Sequence, residues 1–183
     1  LSELAKAIEK EFRINLKIIS GGNSANYDWY NSTDSIGNIN NLRIGESILL
    51  GCETSNRIAI PGLHTHAFKL IAEVIESKKK PSLPFGETCQ DAFGGVHHFE
   101  DQGIRQRVII ALGRQDILAS GLKKNEKMKI IGYSSDHLII DCDAPGLCVG
   151  DEVAFNLTYG GLLAAMTSPF IQKRFIKYQS LSL

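Results

Sequence analysis

The sequence predicts the end of an α/β unit followed by an all-β domain. Three observations carry that expectation. Residues 1 to about 62 alternate a helix-period segment with short apolar runs that end in glycine. After about residue 63 the chain becomes a series of β-branched apolar runs, separated by turns rich in Gly, Asp, Asn and Lys. Pro61-Gly62 stands between the two textures as a turn signal, so domains are expected at 1–62 and 63–183.

The first element is a helix over Ser2–Phe12. Leu1, Leu4, Ala5, Ile8 and Phe12 recur at the helical period and leave Lys6, Glu9 and Lys10 outside. Leu1 is not a natural start residue and this helix reads as already in progress, so the 183 residues are expected to be the back part of a longer protein. Leu16-Lys17-Ile18-Ile19 reads as a short strand ending in Ser20-Gly21-Gly22, and Ile48-Leu49-Leu50-Gly51 as a short buried parallel strand.

In the second domain a strand is expected from Ala67 to Ser77, ended by Lys78-Lys79-Lys80 and Pro81 in a solvated hairpin. Further strands are expected at Arg107–Leu112, Met128–Gly132, His137–Asp141 and Glu152–Leu157, arranged as a small barrel or sandwich. Leu162–Met166 reads as a helical turn in a segment that folds back.

Composition narrows the function. Lysine plus arginine number 20 and aspartate plus glutamate number 20, so no basic excess favours nucleic acid or an anionic membrane as partner. A local pocket for a small anion remains open, because net charge does not report local field. The apolar share of 43% is ordinary for a globular chain, and no apolar run is long enough to span a bilayer. Cys52, Cys89, Cys142 and Cys148 form no C-x-x-C pair, which argues against a zinc ribbon or thioredoxin motif and fits free thiols in a cytoplasmic protein. His64-x-His66 and His97-His98 have no carboxylate or cysteine suitably placed beside them in sequence. Metal sites need three or four ligands, so no metal is expected.

Two segments carry most of the chemistry: Ser20-Gly21-Gly22-Asn23-Ser24 and Leu42-Arg43-Ile44-Gly45-Glu46. Each sits near an apolar run. Each offers glycine-freed backbone N–H groups, the first adds hydroxyls and the second an arginine, which together suit a phosphate. In α/β sheets ligands sit at the carboxyl ends of strands, where Ser20–Ser24 is expected.

The order of these segments, then Ala111-Leu112-Gly113-Arg114-Gln115-Asp116, then Gly132-Tyr133-Ser134-Ser135-Asp136-His137, then Val149-Gly150-Asp151-Glu152-Val153, resembles the alanine racemase family of pyridoxal-phosphate (PLP) enzymes. Asn40–Glu46, Ala111–Asp116 and Ala165-Met166-Thr167-Ser168-Pro169 look especially like its alanine/ornithine racemase-like branch. The resemblance implies that residues 1–62 are the C-terminal part of a PLP-binding TIM-type barrel and 63–183 a C-terminal β-domain. It implies an amino-acid racemase, acting on ornithine, a related basic amino acid or alanine. It also implies a homodimer in which the β-domain of one subunit completes its partner's site in trans. The lysine that binds the cofactor covalently lies near the start of such proteins and has no counterpart here, so this piece alone is expected to be inactive.

By the same resemblance Ser24 binds the PLP phosphate, Gly45 and Glu46 give it backbone N–H groups, and Arg43 faces the pyridine nitrogen. An arginine cannot accept a proton, so it keeps that nitrogen unprotonated. Gly21, Gly22 and Asn23 shape the turn, and Asn23 is counted with the candidate binding set. Arg114 falls where relatives carry a tyrosine base. A guanidinium is a poor base, with a pKa above about 12, so Arg114 either recognises the substrate carboxylate or is an exposed turn residue. Asp116 and His137 are the replacement-base candidates, and Asp116 or Asp136 the partner of a distal ammonium. Ser135-Asp136-His137 falls where the family's β-domain reaches the substrate carboxylate. Tyr159, Phe175 or Tyr178 stands for the family's C-terminal tyrosine on the phosphate, or packs as an ordinary aromatic. The rival readings are a non-catalytic PLP-binding or regulatory protein, and a structural fragment.

Overall fold

The structure, a computed structural model, describes residues 1–177 apart from 88, 91–93, 97, 124 and 143–145. The chain forms two compact units, Leu1–Ala67 and Phe68–Leu183.

The first unit begins with α1 (Ser2–Phe12), which ends at Arg13 in the left-handed region, φ 51°. Glu9 then accepts the Leu16 N–H at 2.9 Å and ties the helix to the chain that leaves it. Within this unit only Ala5 of the expected apolar stripe is buried, while Leu1, Leu4 and Phe12 are exposed. The strand expected at Leu16–Ile19 forms later instead, as β1 (Ser20–Asn23). Asn40 explains the shift. Its side chain accepts from the Ile19 N–H and donates to the Lys17 carbonyl, so it occupies the backbone groups that a neighbouring strand would use.

β1 pairs in parallel with β2 (Asn41–Arg43), Ser20 opposite Asn41 and Asn23 opposite Arg43. A short 3-10 turn (Ser24–Asn26) and α2 (Tyr27–Ser32) lie on the crossover between them, as a parallel pair requires. Residues 48–51 are not the expected buried strand. They close α3 (Glu46–Leu50), with Gly51 as its left-handed C-terminal cap at φ 67°. A four-residue apolar run has no periodicity to separate strand from helix, and the glycine that looked like a strand end is a helix stop. A Cβ at Gly51 would stand 2.4 Å from the His64 carbonyl oxygen.

The second unit is one antiparallel sheet of five strands, in the order β5-β6-β4-β3-β7. They are β3 (Leu70–Pro81), β4 (Ile104–Ile110), β5 (Met128–Tyr133), β6 (Leu138–Cys142) and β7 (Glu152–Phe155). β3 runs straight through the lysine triplet that was expected to end it, pairing Lys78 with Arg107 and Lys80 with Arg105. Alternate residues share a strand face, and the Glu76 carboxylate takes both Lys78 Nζ (2.8 Å) and Lys80 Nζ (2.6 Å) on that face. Two of the three lysine charges are thus paired within the strand.

One sheet face is the core, with Leu70, Ala72, Val74, Val108, Ile110, Leu138, Ile140, Val153 and Phe155 all buried. On the other face Asp141 joins Arg105 (Nε, 3.0 Å) and Arg107 (Nη1, 3.6 Å), and Arg107 also donates to the Ser82 carbonyl. α4 (Tyr159–Thr167) is a full helix where a helical turn was expected, capped by Thr158 Oγ1, which accepts from the Gly161 N–H at 3.1 Å. It crosses the short 3-10 turn at Ala119–Gly121 so closely that a Cβ at Gly161 would lie 2.1 Å from the Gly121 carbonyl oxygen.

Candidate functional site

In the first unit the structure brings together the residues expected to bind phosphate. The 3-10 turn after β1 buries Ser24, and Asn23 holds that turn in a reciprocal capping box. Asn23 Oδ1 accepts the Ala25 N–H while its own N–H donates to Asn26 Oδ1. Ser24 Oγ then accepts the Gly45 N–H and the Ser47 N–H, each at 3.2 Å. One hydroxyl and two backbone amides from segments about twenty residues apart therefore converge, and the space beyond the Gly45 Cα is open, with nothing within 4 Å of a Cβ built there. Ser47 was not among the sequence candidates. It is wholly buried, and its own hydroxyl has no hydrogen-bond partner. The signal was present as a second small hydroxyl residue just past Gly45-Glu46, but nothing in a linear motif says that residue 47 faces residue 24.

Arg43 ends β2, and its Nη1 donates to Ser20 Oγ across the parallel pair. Glu46 directs its carboxylate away to a second partner, the Arg57 guanidinium. That hydrogen bond, with the Cys52 sulfur as a lesser neighbour, raises the Arg57 pKa further above its already high ordinary value. Arg57 sits in the left-handed region, φ 62°, on a loop folded around Glu53. The buried Glu53 carboxylate accepts the backbone N–H groups of Ile58 (2.8 Å), Ser55 (2.6 Å) and Asn56 (2.6 Å), and these bonds, that of Ile58 first, hold its pKa below the usual carboxylate value.

In the second unit the other candidates gather at one turn. The β5–β6 hairpin closes through Ser134, whose N–H donates to the His137 carbonyl and whose Oγ accepts from the Asp136 and His137 N–H groups. The loop after β4 lies against this turn: the Arg114 N–H donates to the Ser134 carbonyl at 3.0 Å and the Gln115 N–H to that of Ser135 at 3.1 Å. Gly113 is the contact point, since a Cβ there would lie 2.1 Å from the Ser135 carbonyl oxygen. The Arg114 guanidinium stacks over the Tyr133 ring, 4.7 Å from its centroid. Tyr133 was not among the sequence candidates. Asp136 accepts from Ser135 Oγ at 2.9 Å and is exposed, as is His137. Asp116 turns inward within its own loop, where its carboxylate accepts the Gly113 N–H at 2.9 Å.

The remaining candidates stand apart from these clusters. Tyr159 opens α4 and is part-exposed, Phe175 is almost fully exposed, and Tyr178 and His97 lie outside the described residues. His64 and His66 face each other edge to face, ring centroids 6.1 Å apart. Among the described residues no group of three or more His, Cys, Asp or Glu could hold a metal ion, and no helix is long and apolar enough to cross a membrane.

With that geometry in hand, the fold can be compared with known proteins. No protein-family model matches the chain. The alanine racemase from Oenococcus oeni superposes on 92% of this chain and 48% of its own, with a TM-score of 0.52 at 16% identity. That from Bacillus anthracis covers 81% of this chain and 38% of its own, with a TM-score of 0.52 at 20% identity. The D-threonine aldolase from Filomicrobium marinum covers 89% and 38%, again with a TM-score of 0.52, at 10% identity. These likenesses define a fold shared with alanine racemases.

Sequence similarity is closer to two curated proteins. The ornithine racemase of Acetoanaerobium sticklandii is 42% identical over 179 residues, which is 96% of this chain and 51% of that protein. The lysine racemase of Thermotoga maritima is 44% identical over 176 residues, 94% of this chain and 49% of that protein. The chain therefore resembles the alanine racemase family, in its alanine/ornithine racemase-like branch, over nearly its whole length, and it spans about half the length of these relatives.

Proposed function

We propose that this chain is the C-terminal part of a PLP-dependent amino-acid racemase whose substrate is ornithine or a related basic amino acid. The observation that carries the reading is the 42% and 44% identity to an ornithine racemase and a lysine racemase across almost the whole chain. On this reading the first unit is the last part of a TIM-type barrel, the second is the C-terminal β-domain, and the cofactor-binding lysine lies outside these 183 residues. The chain by itself is then inactive.

The residues present fit the cofactor. Ser24, Gly45, Glu46 and Ser47 would hold its phosphate through a hydroxyl and backbone amides, and the Ser47 hydroxyl on the same segment is buried without a partner. Bound there, pyridoxal phosphate would supply the electron withdrawal that makes the substrate α-proton labile. Arg43, steadied by Ser20, would present a guanidinium that can only donate, so the pyridine nitrogen stays an unprotonated acceptor. In the β-domain, the Arg114 guanidinium lies over Tyr133 while its backbone N–H is bonded to Ser134, and its permanent cation suits a substrate carboxylate. Asp136, exposed beside it on the turn, suits a distal ammonium. His137 is the better placed of the two replacement-base candidates, because the Asp116 carboxylate already serves the Gly113 N–H. A homodimer would let Arg114 and Asp136 act in trans while Ser24 and Arg43 act in cis.

The test is racemisation of L-ornithine, L-lysine and L-alanine by the full-length protein, followed by polarimetry, with absorbance of the bound cofactor recorded before and after borohydride. We expect turnover fastest on a basic amino acid, and selective loss of that preference in Asp136→Ala. Cofactor binding without turnover would instead support a carrier or regulator.

A further inference from the structure

The candidate phosphate cradle contains an electrostatic conflict. The Gly45 and Ser47 amides converge on Ser24 Oγ, where the phosphate monoester dianion is proposed to sit, yet the residue between them carries a carboxylate on the same short segment. Left bare, that carboxylate would repel the dianion across a partly buried site, where screening is weak. A fixed cation beside it, holding it turned away, removes the conflict.

The chain supplies one. Arg57 reaches Glu46 through its guanidinium, and the Glu46 side chain is four-fifths buried in the pair. The position of Arg57 is not incidental. A non-glycine residue at φ 62° is costly to hold. The loop nevertheless keeps it there, through the three backbone amides on the buried Glu53 carboxylate, the Glu53 N–H to the Ile58 carbonyl, and the Cys52–Ala59 bridge. The Arg57 side chain is more than half exposed, and an ion pair so open to solvent on one side stabilises a fold little, so fold stability is a poor reason for so constrained an arginine. A ligand-facing charge balance is a better one. On the same short segment the Ser47 hydroxyl is wholly buried and has no hydrogen-bond partner, a second polar group that the fold leaves unsatisfied.

We infer that Arg57 is a positioning residue for the cofactor phosphate: it neutralises and holds back the Glu46 carboxylate so that the Ser24–Gly45–Ser47 cradle can take a dianion. The inference rests on the cofactor reading proposed above.

Charge bookkeeping predicts opposite signs for two single substitutions that break the same pair. In the full-length protein at low ionic strength, equilibrium dialysis with pyridoxal phosphate should show Arg57→Gln binding roughly three- to tenfold more weakly, and Glu46→Gln as tightly as the parent or more tightly. The double substitution should return to within about twofold of the parent, since the net charge is restored. Pyridoxal, which lacks the phosphate, should bind all four proteins alike. A purely structural ion pair predicts that both single substitutions weaken binding and that pyridoxal suffers equally; that result overturns the inference. Equal pyridoxal phosphate affinity in all four proteins also overturns it, and leaves the cofactor reading intact. A folded parent that binds no pyridoxal phosphate removes the cofactor reading, and the inference with it. Partial unfolding cannot mimic the expected pattern, because it would weaken both single variants.

Discussion

Gly113 shows how much a single missing methyl group decides. It lies where the loop after β4 meets the β5–β6 turn, and a Cβ would be driven to 2.1 Å from the backbone oxygen of Ser135. Backbone on both sides cannot step aside as a flexible side chain can. Gly113→Ala should therefore destabilise the protein by about 1–3 kcal/mol, as overpacking does, measurable as a lower urea midpoint with an unchanged m-value. It should also disturb Arg114, since the amides of Arg114 and Gln115 are bonded to the same turn. The motif Gly113-Arg114-Gln115-Asp116 was visible in the sequence, and so was Ser134-Ser135-Asp136-His137. That the two touch was not visible, because the contact runs through backbone carbonyls, which every residue carries and no motif spells. Tyr133 and Ser47 escaped for the same reason: their significance lies in what they face, Arg114 in one case and Ser24 in the other.

Elements were legible where periodicity had length to work with. The helix over Ser2–Phe12 follows from it, and the strands expected at Met128–Gly132, His137–Asp141 and Glu152–Leu157 form at Met128–Tyr133, Leu138–Cys142 and Glu152–Phe155. Short runs misled. Residues 48–51 looked like a strand and are a helix end, and the lysine triplet looked like a turn and is strand. In the second case the deciding group is Glu76, whose carboxylate is pulled down to a pKa of about 2 by Lys78 first and Lys80 next. The Glu53 carboxylate is likewise lowered by the loop amides. The sign follows directly. A carboxylate with a depressed folded-state pKa contributes stability that is complete above its unfolded value and is lost as pH falls through the folded one. Acid titration of thermal stability should thus show losses beginning near the ordinary value of 4.5 and extending, for Glu76, down to about 2. Glu76→Gln should flatten the profile in that window, and Glu53→Gln should flatten it below 4.5 while loosening the loop that carries Arg57. An unchanged acid limb in both variants would show that neither carboxylate is held as described.

At the scale of the whole molecule the chain is a short parallel α/β unit and a five-stranded antiparallel sheet, each with its own candidate cluster. The texture change near Pro61-Gly62 announced two kinds of structure, but not the strand order of the second. That order depends on β3, which gives its first four residues, Leu70–Glu73, to β7 and most of the rest to β4. One strand thereby joins the beginning of its unit to a segment nearly half the chain away. Pairings this distant close late, because the loop entropy must be spent before any contact repays it. Strands β4, β6 and β5 can associate over far shorter stretches of chain, with β7 arriving last as a four-residue edge. Native-state hydrogen exchange should accordingly find the β7 amides less protected than those of β4 and β6; equal protection throughout would mean that the sheet opens only as a whole. The consequence reaches α4, which follows β7 after three residues and seats its Gly161 on Gly121. So short a link ties the seating of the helix to the placing of the edge strand, and the glycine crossing serves as the latch on that edge.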